Sequence, residues 1–417
     1  MNVPMFADHV SRAASLPLEA IDPSDPALYQ QDAWQPYFAR LRREDPVHYV
    51  PDSPSGPYWA VTKYQDIIRL EVNHKVFSSS WQLGGIKIDD MPKGYERPSF
   101  IWRDPPEHGP QRLAVTPSVA PGNLARMESL IRERTRLVID GLPRGEAFDW
   151  VDRVSIELTS MMLATLFDYP VEDRRQLIHW SDVAIANVDA PDSPVRSEEE
   201  RFAIQMDFTR QLGELWDKRA KQPPRFDLIS LMAHGETTRD MSVRDRMGML
   251  ILFLVGGNDT TRNSMSGGIW GLSRFPEEMH KLRARPDIIP GAVSDIIRWQ
   301  TPVIHMRRTA TEDTDFGGKA IRKGDKVVVW YISGNRDETV IDRPDALVVD
   351  RARPREHLAF GFGIHRCLGN RLAELQVRVL LEEIVARGLE IEVLDRPVYA
   401  YSNFLRTIRS LPVRIAA

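Results

Sequence analysis

Apolar and polar positions along the chain follow two periods. From about Gly109 to Gln300 most segments repeat their apolar residues at helical spacing, with interruptions at Pro143, Pro170, Pro191, Pro194, Pro223, Pro224, Pro276 and Pro286. This predicts a body built mainly of helices. The first hundred residues are rich in proline and carry short strand-like runs, Val47–Val50 and Tyr58–Thr62. Past Phe316 the pattern predicts a strand over Lys326–Tyr331, a loop-rich stretch from Asn335 to Gly363, one helix, and short strands near Leu389–Val393 and Leu411–Ile415. The sheets are therefore expected to be small and peripheral.

One predicted helix dominates. Ser242 with Asp245 three residues on fits a capping box, and the apolar run that follows stays helix-compatible until Pro276. At ~1.5 Å per residue such a helix approaches 50 Å, enough to cross the molecule. In its middle stands Gly256-Gly257-Asn258-Asp259-Thr260-Thr261. Glycine inside a helix costs roughly 1 kcal/mol relative to alanine, and a buried aspartate costs more, so a function is expected to offset them. A close helix crossing would also explain the glycines, and a solvated face the Asp-Thr pair. Earlier in the chain, Asp189 to Glu200 (DAPDSPVRSEEE) joins two helical stretches with Pro, Ser and acids, and reads as an exposed, mobile connection.

Composition narrows the class. Apolar residues make up 42% and charged residues 27% of 417, as in a soluble globular protein with a thick core. With 55 basic and 59 acidic residues the net charge is −4, so no global field points to nucleic acid or anionic lipid. A single cysteine cannot form an internal disulfide, and the N-terminal stretch lacks the unbroken apolar core of a signal peptide, which makes the cytoplasm the expected home. The most apolar run, Met247 to Val255, falls short of the ~20 residues that span a bilayer, so no membrane anchor is expected.

That cysteine, Cys367, is the strongest chemical signal. Leu368, Leu372, Leu375 and Val379 recur at helical spacing behind it and Gly388 offers a stop, so the thiol is expected near a helix N-terminus, where the dipole favours thiolate. Gly361 and Gly363 let the preceding loop lie against something large. A buried thiol is by itself usually inert. A zinc site from His357, His365 and Cys367 is one alternative, though no CxxC or HxxxH partner completes it.

Phe360, Gly361, Gly363, His365, Cys367, Gly369, Leu372 and Ala373 stand at the spacing F-G-x-G-x-H-x-C-x-G-x-x-L-A, which resembles the haem-binding loop of the cytochrome P-450 family of haem-thiolate monooxygenases. The resemblance extends from about residue 47 to the C-terminus. It implies a mainly α, single cytochrome P-450 fold with small peripheral β-sheets and a long central helix, as one domain over 47–417 with the segment 1–46 packed on it. It implies haem b, with Cys367 as the iron's axial ligand and Phe360 and Gly361 against the cofactor. The Gly256–Thr261 stretch looks like the family's oxygen-binding segment, with Asp259 and Thr260 as the catalytic pair that relays protons. Four residues match positions the family uses for the haem propionates, namely His108, Arg112, Arg307 and His365. The family's E-x-x-R signature appears as Asp295-Ile296-Ile297-Arg298, one methylene shorter, and the pair is expected to engage Arg351 or Arg353.

The stretches around Gly256 and Arg298 look closest to the soluble bacterial alkane and fatty-acid terminal hydroxylases of this family. Positions that would face the distal pocket are Leu252, Val255, Val303, Ile304, Phe404 and Leu405, with Leu83 or Ile86 from the variable loop before Asp104, nearly all apolar. The implied substrate is a small apolar molecule, a medium-chain alkane or fatty acid, with a terpene hydroxylase or a non-enzymatic haem carrier as alternatives. No flavin domain or GxGxxG fingerprint is present, so electrons are expected from a ferredoxin and its ferredoxin reductase, docking near Arg112, Arg366 and Arg371.

Overall fold

Local signals become elements with small shifts of boundary in the computed structural model, which describes residues 3–416. The ends of the 1–46 segment and of the 47–417 unit therefore lie outside the described residues. The Ser242 hydroxyl accepts the Asp245 backbone N–H at 3.2 Å, and the helix it caps runs Val243–Arg274 before Pro276 stops it. Its 32 residues rise about 48 Å. Neighbours cover it on several sides. Near its start Met249, Leu250 and Leu254 join a core with Leu163, Leu166 and Phe208; farther along, Met265, Ile269 and Leu272 meet Ile296, Ile297 and Leu380. A helix covered all round needs no single apolar stripe, which is why length and capping, more than amphipathicity, mark it.

The largest sheet has five strands in the order Val47–Val50, Tyr58–Val61, Lys326–Val329, Met306–Ala310 and Phe77–Ser78, with Tyr58–Val61 and Lys326–Val329 parallel and the other pairs antiparallel. The helix Gln35–Glu44 and its flank cover this sheet: Trp34, Tyr37, Phe38 and Leu41 share one core with Tyr58, Val328 and Trp330. The strand expected over Lys326–Tyr331 ends at Val329, because Tyr331–Gly334 turns into a short helix. The strand Met306–Ala310 is not visible in the sequence pattern, since two arginines stand where a buried strand would be apolar.

The expectation for residues 189–200 needs correction. Ser197 caps the helix Glu198–Ala220 by accepting the Glu200 N–H at 3.1 Å, so the three glutamates open a helix and meet its positive end. Ala190 and Val195 are buried, so the connection before it is pinned to the body.

The loop-rich stretch 335–363 is held by charge. Asp295 and Arg298, both on the helix Ile289–Gln300, are completely buried and paired at 2.5 Å. Asp295 also accepts from Arg351 Nε at 2.7 Å and from the Val348 N–H at 2.7 Å. Arg298 donates to the carbonyls of Asn335, Pro344 and Ala346 at 3.1, 2.6 and 2.7 Å. Of the two candidate partners, Arg351 takes the place, while Arg353 pairs with Glu356 at the surface. Aspartate thus suffices for both arginines without the extra methylene.

Burial alone would raise the Asp295 pKa, but Arg298 and Arg351 outweigh it and hold the group below the ordinary carboxylate range. A depressed acid contributes stability that is full above its unfolded value, near 3.9, and lost as the pH falls through the folded one. Asp295→Asn leaves two buried guanidinium groups without a counter-charge and is expected to cost about 3 kcal/mol at pH 7. Urea unfolding of the haem-loaded protein measures it; the deficit should begin to shrink as the pH falls below about 3.9, where the unfolded aspartate takes up its proton, and should vanish only below the depressed native value, where the folded aspartate is protonated as well.

Candidate active site

Cys367 stands two residues before Gly369, the cap of the helix Asn370–Ala386. Its N–H donates to the Phe360 carbonyl at 2.8 Å, which closes the loop. Gly361 and Gly363 both have φ +66°, and a Cβ on Gly363 would collide with the Glu71 backbone carbonyl. The free surface of Cys367 opens into an internal cavity, with Phe360, Gly361 and His365 on the same wall. The thiol does not behave as the helix terminus alone suggests. Burial pushes its pKa up, against the lowering pull of the Gly369 N–H, Arg112 and Arg366. The lowering pull of these neighbours therefore does not outweigh burial at the sulfur.

Beside the loop lies a cluster of donors without acceptors. The rings of His108 and His365 meet at 4.5 Å between centroids, edge to face. His108 Nε2 and both ring nitrogens of His365 are buried with no hydrogen-bond partner. Burial first, and then Arg112, pulls His108 down to about 4; burial and Arg308 hold His365 well below its ordinary value. Arg112 lines the cavity and donates to the Arg366 carbonyl at 2.6 Å. An anion placed among these groups would satisfy the orphaned nitrogens and offset the crowding of positive charge.

Arg307 does not belong to this cluster, and Arg308 takes its place. Side chains alternate along the strand Met306–Ala310: Met306 and Arg308 face the cavity, while Arg307 turns away to Asp90 at 2.6 Å and the Leu83 carbonyl at 3.0 Å. Arg308 is oriented by buried Glu71, which accepts from Arg308 at 2.8 Å, from the Tyr331 hydroxyl at 2.6 Å, and from the Phe362 N–H of the cysteine loop at 2.7 Å. Glu71 thus ties an arginine of the cluster to the loop. Neither residue has a sequence signal: two adjacent arginines in a strand buried on both sides cannot be told apart by pattern.

The central helix forms another wall. Its two glycines do different work. A Cβ on Gly256 would meet only open space, so this position keeps the cavity wide, whereas one on Gly257 would press on Leu163 at 3.1 Å, so that position permits a helix contact. Thr260 lines the cavity and donates to the Gly256 carbonyl at 2.9 Å. Asp259, one residue earlier and about 100° around the helix, points away from it. It is fully buried, accepts from Ser181 at 2.5 Å, and pairs with Arg262, which in turn meets Asp182 at 3.1 Å. Burial raises Asp259 to about 6, partly opposed by Arg262. Asp182 is 44% exposed, so the chain of charges runs from solvent to the residue beside Thr260.

Six of the expected apolar positions line the cavity: Ile86, Leu252, Val255, Val303, Phe404 and Leu405. Two do not. Ile304 is fully buried in the core with Trp330, on the opposite side of the chain from Val303, and Leu83 is 42% exposed at the surface. Lys87 and Arg97 also line the cavity and were not singled out in the sequence. Among the described residues, His357, His365 and Cys367 form no cluster able to hold a metal ion by themselves, which removes the zinc alternative.

Arg308 and Arg307 offer a paired test of this geometry. Arg308→Gln should speed loss of haem to an excess of apoprotein scavenger by about tenfold, the effect of one charge-assisted hydrogen bond, and Arg307→Gln should leave that rate within about twofold. Equal effects, or a larger one for Arg307→Gln, would overturn the assignment of Arg308 in place of Arg307.

A thiol, two unpartnered histidines and two arginines around one cavity fit a haem, whose iron takes the sulfur and whose propionates take the donors. Comparison with known proteins agrees. The family model described as Cytochrome P450 matches residues 287–393. The chain is 38% identical over 405 residues to linalool 8-monooxygenase of Pseudomonas putida, covering 95% of this chain and 99% of that protein. It is 33% identical over 395 residues to the methyl-branched lipid omega-hydroxylase of Mycobacterium bovis, covering 90% of each. The solved structure of cytochrome P450-153 from Novosphingobium aromaticivorans superposes with a TM-score of 0.89 at 46% identity, covering 94% of this chain and 99% of that one. The helical body, its small sheets and the lone cysteine facing the cavity are those of a haem-thiolate monooxygenase, and the chain belongs to the cytochrome P450 family, with haem b as its cofactor.

Proposed function

We propose that this cytochrome P450 hydroxylates the terminal carbon of a medium-chain alkane or fatty acid. The observation that carries the reading is the lining: Ile86, Leu252, Val255, Val303, Phe404 and Leu405 surround the space between Thr260 and the far end of the cavity. Such walls bind an aliphatic chain by burial, at ~25 cal/mol per Å² of apolar surface, and orient it by shape. The omega-hydroxylase named among the relatives supports the same outcome.

When bound, the haem supplies dioxygen activation, favoured by electron density from the Cys367 thiolate. The residues of this chain have narrower tasks. His108, Arg112, Arg308 and His365 would hold the propionates, and Phe360 and Gly361 would lie along the ring. Thr260 presents a hydroxyl to the reaction space, and Asp259, raised toward neutrality and linked outward through Arg262 and Asp182, resupplies protons. Electrons come from a small acidic ferredoxin, itself reduced by a ferredoxin reductase. Its docking face is carried by Arg366 and Arg371, which are exposed; Arg112 is turned inward and contributes charge more than contact.

A panel of alkanes, fatty acids and acyclic terpenes tests the substrate reading. Oxidation confined to the terminal carbon of unbranched chains is expected; products only at internal carbons, or turnover limited to terpenes as the name of the Pseudomonas putida relative suggests, would refute it. In the same assay Thr260→Ala should divert electrons from product to hydrogen peroxide, and unchanged coupling would remove the role given to that hydroxyl. For docking, Arg371→Glu is expected to slow reduction by ferredoxin about tenfold at low salt while leaving substrate affinity intact. Stopped-flow reduction measures it, and wild-type kinetics would move the docking face elsewhere.

A further inference from the structure

The apolar cavity contains a cationic group that neither the haem cradle nor the proton path uses. Lys87 lines it, and among the described residues its ammonium meets no carboxylate at ion-pairing distance; the ring of Phe404 lies 5.0 Å away, from Nζ to centroid. Arg97 also lines it, buried, with the Tyr95 carbonyl at 3.0 Å and a loose contact of 3.7 Å to Glu198. Glu198 is already engaged by Arg201. The charges that act on Lys87 are Arg201, Arg97, Glu198 and Asp89, and Asp89 is an exposed residue bonded by Ser55. Three cations therefore face two carboxylates, and the unmatched charge is the one aimed into the cavity. Burial and the two arginines lower Lys87 to about 7.

Position gives this group meaning. Gly248, near the start of the central helix, has no room for a Cβ because the backbone carbonyls of Arg97 and Pro98 lie against it. Gly248, Leu252, Val255, Gly256 and Thr260 all line the cavity, along one helix face. From Gly248 to Thr260 that face rises about 18 Å. Arg97, whose charge acts on Lys87, thus stands at one end of a long apolar wall and the reaction space at the other. Holding an unpaired ammonium in an apolar cavity is unfavourable, and a carboxylate partner offsets the cost.

We propose that Lys87, with Arg97, binds the carboxylate of a medium-chain fatty acid and so directs the distal end of the chain to Thr260 and the haem. This rests on the terminal-hydroxylase reading and selects the acid over the alkane. The alternative role for Lys87 is a cation–π contact with Phe404 that only packs the loop.

The test uses haem-loaded enzyme and three probes, dodecanoate, its methyl ester and dodecane, with affinity read from the spin-state change and from calorimetry. Lys87→Met should weaken dodecanoate about tenfold or more while changing the ester and dodecane by less than about threefold, and Lys87→Arg should retain dodecanoate binding. Product position should move inward from the terminal carbon for the acid alone. Equal losses for all three probes, or no loss for dodecanoate, would overturn the anchor. If wild-type enzyme oxidises the chain end of both acid and alkane yet Lys87→Met does not discriminate, the anchor alone fails; if wild-type enzyme binds none of the probes, the terminal-hydroxylase reading and the anchor fail together.

Discussion

A buried carboxylate on each side of the cysteine loop determines whether the site exists. Asp295 collects Arg298, Arg351 and the Val348 N–H, and Arg298 passes that hold on to three carbonyls of the 335–346 stretch. Glu71 does the same from the other direction, joining Arg308, Tyr331 and the Phe362 N–H. The intervening chain has little regular structure of its own, so its shape comes from these bonds. Each uses an ion whose removal from water is costly, and each is tolerable only because nearly every lone pair is met. A short span of backbone is thereby held so that one sulfur faces inward.

The same economy appears on the central helix, where neighbouring residues serve different compartments. Thr260 opens to the cavity and Asp259 to a charged chain that ends at half-exposed Asp182. A helix achieves this by rotating about 100° per residue, so that consecutive side chains sit on different walls. Gly256 and Gly257 divide in the same way, one leaving space and the other allowing contact with Leu163. The close helix contact that the glycine pair suggested is therefore made at Gly257, while Gly256 borders open space.

Positive charge within the cavity is segregated. One group, Arg112 and Arg308, stands by the orphaned ring nitrogens of the neutral His108 and His365 next to the cysteine loop. The other, Lys87 and Arg97, lies where the loop before Asp104 meets the start of the Glu198–Ala220 helix. Apolar wall separates them along three turns of the central helix. A cavity built this way distinguishes its ends, and a ligand with one polar and one apolar end can enter it in only one favourable orientation.

Periodicity, capping and motif spacing determined much of this by themselves. The long helix from Ser242 to Pro276 and the strands at Val47–Val50 and Tyr58–Val61 follow from short-range rules, in which each residue's neighbours in the chain set its conformation, while the cysteine loop and the Asp295–Arg298 pair were legible through their resemblance to the motifs of a known family. Tertiary structure decided what depends on direction. Arg308 enters the cavity and Arg307 does not, because strand alternation must be referred to a sheet that the sequence does not orient. Ile304 falls into the core and Val303 into the cavity for the same reason. Glu71 and Lys87 matter only through partners hundreds of residues away or through the absence of one, and the thiol of Cys367 is raised because burial, a property of the whole packing, exceeds the local pull of its helix. Local rules set which residues form an element; which side of that element meets the cavity is set by everything packed around it.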